Sequence, residues 1–211
     1  MKNLIVMNNS LLKDEKGEYI KKAYQPSPGI MYISSYMKDK GYDVDALNMN
    51  HYPPSKLEEV LSENHYDVIG MGGLFIFLDD FKSIIKTTRK VSPSTKVLLG
   101  GQIATADPEF AMGSVKPDYL IMGEAEHIMT DFLDALENDR DLKSVNGIIF
   151  NEGDQLIKTS DAVAPTDLDS LPYPDYEGFE FDYKLDNFPL LDQTAVHPKN
   201  ARQVGIIASR G

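Results

Sequence analysis

Five short apolar runs alternating with segments of helical periodicity predict an α/β protein built on a doubly wound, five-stranded parallel sheet. The runs are Asn3–Asn8, Tyr42–Asn48, Asp67–Met71, Lys96–Gly100 and Asp118–Met122. Strands separated by helices are joined by crossovers, which build parallel sheets with helices on both faces. A second observation is where the glycines fall. Pro26-Ser27-Pro28-Gly29, Gly70-Met71-Gly72-Gly73-Leu74, Gly100-Gly101 and Gly123-Glu124 form loops at regular intervals along this pattern, three of them directly after an apolar run. In such a sheet these loops gather along the carboxyl edge, where ligands bind. Glycine there lets backbone approach a bulky ligand with no Cβ in the way.

Each element has a local reason. Asn3 to Asn8 is apolar enough for a central strand, and a polar loop is expected to follow to Gln25, with the charged stretch from Lys13 to Glu18 expected to be exposed. Ile30, Ile33, Tyr36 and Met37 then share one helical face, and Gly41 is a natural left-handed stop. Tyr42 to Asn48 alternates as the second strand. Ser55 to Asn64 reads as a helix with Ser55 as N-cap, and Asp67 to Met71 as a buried strand. Asp79 to Val91 is the third helix and Lys96 to Gly100 the fourth strand. Pro108 after Asp107 starts a short helix, because proline is favoured at the first helical position. Asp118 to Met122 is the fifth strand, and Glu126 to Asn138 the helix after it. The expected order is the flavodoxin-like 2-1-3-4-5, its switch point between strands one and three.

Organisation changes after Leu142, so residues 1–142 are expected to form the sheet domain. Val145 to Phe150, a turn at Asn151–Asp154, and Gln155 to Thr159 read as a β-hairpin. Pro165 to Pro198 reads as an extended, proline-bearing connector; its Tyr173 and Tyr176 are expected to pack on the sheet or on a following domain. Hairpin and connector span 143–202. Gln203 to Ser209 has the look of a fresh buried strand, and residues 203–211 are expected to open a further domain beyond Gly211.

Composition narrows the function classes. The chain has 211 residues, 42% of them hydrophobic, and a net charge of −12. That balance argues against binding a nucleic-acid phosphate backbone, which uses clustered Lys and Arg. No apolar run approaches the roughly 18 residues of a membrane span, and the N-terminus is too short and polar for a signal peptide, so a cytoplasmic location is expected. Without cysteine, disulfides and thiolate metal sites within this chain are excluded; four scattered histidines show no ligand spacing, and no metal site is expected. No Gly-x-Gly-x-x-Gly follows the first strand and no Walker lysine is present, which counts against nucleotide or flavin binding. The first strand also ends without the acidic pair of a receiver domain.

Gly100-Gly101-Gln102-Ile103-Ala104-Thr105 and Asp118-Tyr119-Leu120-Ile121-Met122-Gly123-Glu124-Ala125-Glu126 resemble the N-terminal domain of cobalamin-dependent radical SAM enzymes. So do Gly147-Ile148-Ile149-Phe150, the strap Asp169-Ser170-Leu171-Pro172-Tyr173-Pro174-Asp175-Tyr176, and the terminal Ile207-Ala208-Ser209-Arg210-Gly211. The order of these motifs carries the resemblance across nearly the whole chain. In that family Ser-Arg-Gly leads into a Cys-x3-Cys-x2-Cys loop holding a [4Fe-4S] cluster. The resemblance therefore implies a cofactor module cut just before a radical SAM barrel, which would be its partner in the same polypeptide. It implies that the full-length protein uses cobalamin, a [4Fe-4S] cluster and S-adenosylmethionine, most often for methyl transfer, and that no catalytic residue lies in this stretch. A cobalamin-free domain serving docking or substrate recognition is the alternative within the family.

The cobalamin mutases and methionine synthase offer a second comparison, through Asp-x-His-x-x-Gly, Ser-x-Leu and Gly-Gly. With Gly29 on the first glycine, Gly72-Gly73-Leu74 falls on Ser-x-Leu and Gly100-Gly101 on Gly-Gly, with 42 residues between Gly29 and Gly72 and 25 between Leu74 and Gly100. Tyr24 and Pro26 then stand where the motif has its Asp and His, and neither ligates cobalt as imidazole does. The resemblance implies cobalamin held base-off and His-off in a glycine-lined slot. The residues expected to touch it are Tyr24, Pro28, Gly29, Gly72, Gly73, Leu74, Phe75, Gly100, Gly101, Thr105, Gly123 and Glu124. Ile30 is expected to face the ring from the first loop, Leu74 to Ile76 to form an apolar wall, and Thr105 to reach the nucleotide tail or satisfy a turn. Glu124 and Glu126 stand at a helix N-terminus, where carboxylates are favourable through the dipole alone.

Overall fold

The computed structural model describes residues 1–8, 24–188 and 201–205. The charged stretch Lys13–Glu18, the end of the connector and the Ser209-Arg210-Gly211 triplet, with most of the expected last strand, lie outside the described residues.

The chain forms β1 (Lys2–Met7), α1 (Pro28–Asp39), β2 (Asp43–Asn48), α2 (Ser55–Glu63), β3 (Val68–Gly72), α3 (Leu78–Val91) and β4 (Lys96–Gly100). Two short helices follow, α4 (Gln102–Ala106) and α5 (Pro108–Phe110), the latter running into a wide π turn at Ala111–Val115. Then come β5 (Tyr119–Ile121), α6 (Ala125–Glu137), β6 (Ile148–Glu152), β7 (Gln155–Lys158) and α7 (Phe181–Asn187). Among the described residues the sheet has seven strands in the order β2-β1-β3-β4-β5-β6-β7. The first five are parallel in the expected 2-1-3-4-5 order; β6 joins β5 antiparallel, and β7 joins β6. The hairpin thus extends the sheet rather than standing apart from it. Its apolar run, Ile148-Ile149-Phe150, needs a buried neighbour, and the open side of β5 supplies one.

Strand alternation sorts the core into two layers. Leu4, Val6, Ile69, Met71, Val97 and Leu99 face α2 to α5, whereas Ile5, Met7, Val68, Leu98 and Ile121 face α1 and α6. Successive side chains of a strand point to opposite faces, so each buried strand feeds both layers. Helix boundaries follow their caps. Gly41, at φ +85°, ends α1 in a Schellman motif: Tyr42 N–H donates to the Met37 carbonyl (3.1 Å) and Gly41 N–H to that of Lys38 (3.0 Å). The Asp107 carboxylate accepts from the Phe110 amide at 2.9 Å, with Pro108 first in the helix. Ser55 does not cap α2; it is the first helical residue, Pro54 holds the cap position, and no side chain satisfies the amides there.

The connector is more structured than a strap. Residues 175–188 lie against α1 and β2, burying Phe179 and Phe188, and include α7. Asp175 accepts from the Ser34 hydroxyl (2.6 Å) and Lys38 Nζ (2.7 Å). Tyr176 meets Phe181 edge-on at 5.0 Å, while Tyr173 stays 89% exposed.

Candidate functional site

A cavity of about 170 Å³ opens at the carboxyl edge of the sheet, between the strands and the α1/α6 layer. Its cause is parity. On that face of the sheet the side chains run Val68 then positions 70 and 72, Leu98 then 100, Ile121 then 123. On these three strands the position nearest the edge is glycine. Removing those side chains leaves a slot whose floor is Ile5, Leu98 and Ile121, walled by Ile30, Ile33 and Met129. Ser27, Gly29 and the first turn of α6, with Glu124 and the buried Glu126, form its rim.

Gly72 and Gly101 are sterically required. A Cβ on Gly101 would lie 2.6 Å from the Gly73 nitrogen, and one on Gly72 3.0 Å from the Gly100 carbonyl. Gly101 also sits at φ +81°, ψ −166°, a region essentially closed to other residues. This contact lets the loops after β3 and β4 bond directly: Gly73 N–H donates to Gly100 O at 3.3 Å and Ile103 N–H to Gly73 O at 3.2 Å. The slot's rim is therefore nearly bare backbone, rigidly laced.

The structure brings Gly29, Gly72, Gly73, Gly100, Gly101, Gly123 and Glu124 to this slot. Five other expected contacts lie elsewhere. The Tyr24 side chain is buried, its hydroxyl 2.6 Å from His51 Nε2 and accepting from Asn48 Nδ2 at 3.0 Å; burial, eased by Asn48 and reinforced by the Glu180 charge, holds the phenol protonated well above its ordinary range. Pro28 faces a separate groove with Tyr32, Tyr173 and Tyr176. Leu74 and Phe75 are exposed on a short turn leading into α3, with the Phe75 ring 6.0 Å from that of Phe110. Thr105 lies exposed on α4. Gly70, Ser27 and the apolar floor were missed. Gly70 shares the parity of Gly72 along β3, and that signal was legible in the sequence.

Residues 22–133 match the model of the B12 binding domain. This chain belongs to the B12-binding domain family. Among curated proteins it is similar to an uncharacterized methyltransferase of Pyrococcus horikoshii, 23% identical over 168 residues, covering 78% of this chain and 36% of that protein. It is also similar to the anaerobic magnesium-protoporphyrin IX monomethyl ester cyclase of Cereibacter sphaeroides, at 26% identity over 72% of this chain and 26% of that protein. The chain thus spans about a third or less of the length of these relatives. Its fold matches TsrM of Kitasatospora setae, a radical S-adenosylmethionine methyltransferase solved with cobalamin and a [4Fe-4S] cluster bound, with a TM-score of 0.63 and 17% identity over 82% of this chain and 31% of that one. OxsB, a cobalamin-dependent S-adenosylmethionine radical enzyme, gives 0.65 and 18% over 83% of this chain and 24% of its own.

The slot suits the family's cofactor. It is open at the edge where large ligands bind this fold, narrow and apolar within, and bordered by backbone where a Cβ would collide.

Proposed function

We propose that this chain is the cobalamin-holding module of a radical S-adenosylmethionine enzyme, and that it holds cobalamin base-off with no histidine on the metal. The observation that carries the reading is the slot's lining: glycine backbone and apolar side chains within, Ser27, Glu124 and Glu126 at the rim, and no imidazole among the described residues around it. A flat aromatic base is favoured by such a lining. Pro26, in the place of the motif's histidine, is itself buried.

Cobalamin supplies a cobalt that carries a transferable methyl group. The chain's own residues then bind and orient. Gly72, Gly73, Gly100 and Gly101 let the nucleotide tail run against backbone. Glu124 and Glu126 accept hydrogen bonds from amide groups at the ring's periphery. Leu74, Phe75 and Ile76, exposed on the turn after β3, offer an apolar surface outside the slot. Radical generation belongs to the remainder of a longer polypeptide that carries the cluster and S-adenosylmethionine, and methyl transfer is its reaction. The methyltransferase names among the relatives support that choice over ring closure.

Hydroxocobalamin titration of the purified chain, followed by desalting and an ultraviolet–visible spectrum, tests the module. Near-stoichiometric retention with a base-off spectrum is expected. Complete wash-out would overturn the reading in favour of a cobalamin-free docking platform.

A further inference from the structure

The wall of the slot rides on α1, and the approach to α1 is held by a turn of the connector. Tyr24 lies three residues before Ser27, which is on the slot's rim. Its hydroxyl is 2.6 Å from His51 Nε2, and His51 Nδ1 is 3.1 Å from Glu180 Oε2. A carboxylate only accepts, so its partner Nδ1 carries the proton; in the neutral ring Nε2 then accepts from the phenol. Asn48 Nδ2 completes the series by donating to the Tyr24 oxygen (3.0 Å) and to the Phe179 carbonyl (3.2 Å). The Tyr52 hydroxyl donates to the other Glu180 oxygen.

Two features mark this as more than incidental packing. The imidazole is 1% exposed, held between Phe188 (5.6 Å) and Tyr183 (4.9 Å), so its geometry is fixed. Glu180 itself adopts φ +51°, ψ 46°, an unfavourable left-handed conformation for a residue with a side chain. That strain persists where surrounding contacts over-determine it. Five residues earlier Asp175 grips Ser34 and Lys38 of α1. One turn of the connector thus holds α1 along its length and at its entry.

We propose that Glu180, His51 and Tyr24 form a positioning brace that fixes the Tyr24–Ser27 approach and so sets the width of the glycine slot. The brace couples the docking of connector residues 175–180 to retention of the cofactor's nucleotide tail. This rests on the cobalamin reading. The three are positioning residues, none of which lines the slot.

The test compares two corrinoids on the whole chain: hydroxocobalamin, and dicyanocobinamide, which lacks the lower nucleotide. Tyr24→Phe keeps the ring and removes the hydroxyl; Glu180→Gln keeps the shape and removes the charge. Each variant should bind hydroxocobalamin about three- to tenfold more weakly, the effect of one lost hydrogen bond, with cobinamide affinity nearly unchanged. A ratio taken within one variant cancels any loss of folded protein. In the wild type, hydroxocobalamin should also slow hydrogen exchange at the Gly178 and Phe179 amides, because coupling is reciprocal, and Tyr24→Phe should abolish that slowing. Equal weakening for both corrinoids, or none, overturns the brace while leaving the cobalamin reading intact. Failure of the wild type to bind either corrinoid overturns both.

Discussion

Gly41, Gly100 and Gly101 separate three reasons for which a chain keeps glycine. Gly41 has φ +85° with open space around its missing Cβ, so Gly41→Ala should cost about 1–2 kcal/mol, the conformational penalty alone, and leave corrinoid binding intact. Gly101 combines φ +81° with a 2.6 Å collision against Gly73, so Gly101→Ala should cost about 2–4 kcal/mol and loosen the β3 and β4 loops together. Gly100 has neither fault: its Cβ would meet nothing nearer than 3.8 Å, yet the residue lines the slot. Gly100→Ala should therefore melt close to the wild type while losing hydroxocobalamin affinity. Thermal melts beside corrinoid titrations check all three. An unimpaired Gly100→Ala would mean that nothing passes along that rim.

The docking of the connector turn belongs to the scale of elements, and its electrostatics give it a pH dependence. Burial by itself would raise the Asp175 carboxyl, but Lys38, Ser34 and the Gly178 amide outweigh it and hold the group below the usual carboxylate range. A carboxyl depressed on docking adds stability that is full above its free value of about 3.9 and is lost as pH falls through the lower docked value. Limited proteolysis within 165–188 should accordingly accelerate below about pH 4, and Asp175→Asn should show fast cleavage at neutral pH with little further change on acidification. This turn also shows what the sequence could carry. The parallel strands were legible because buried strands are continuous apolar runs, and their order is one of the two common to sheets built from such alternation. Docking of the connector was not legible, since Asp175 and Ser34 meet across 141 positions and nothing local announces the contact. The same holds for the site: glycine spacing located the rim, because Gly72 and Gly100 end strands, whereas spacing says nothing of side-chain direction. Tyr24 consequently turned inward to His51, and Leu74 outward to solvent.

At the scale of the whole molecule, the hairpin belongs to the seven-stranded sheet and forms one edge of it. Val145, Ile148, Ile149 and Phe150 are each at most 8% exposed, packed with Ile128, Phe132 and Ile121 on one face and Leu120 on the other. Burying such side chains is worth about 1.5–3 kcal/mol apiece. Four of them together rival the entire stability of a typical domain, about 5–15 kcal/mol. The segment also ties the fifth strand to α6: Met122 N–H donates to the Gly147 carbonyl at 2.9 Å, directly before the Gly123-Glu124 rim of the slot. A chain ended at Leu142 should therefore fail to fold cooperatively, although it retains every strand of the parallel sheet and every glycine of the slot. A chain ended at Pro165 should keep a cooperative melt, having lost the connector but not the hairpin. Circular-dichroism melts of the two, read beside binding of a hydrophobic dye, decide the matter. A sharp transition and no dye binding for the shorter chain would show that the five parallel strands suffice and that the hairpin is an ornament on their edge.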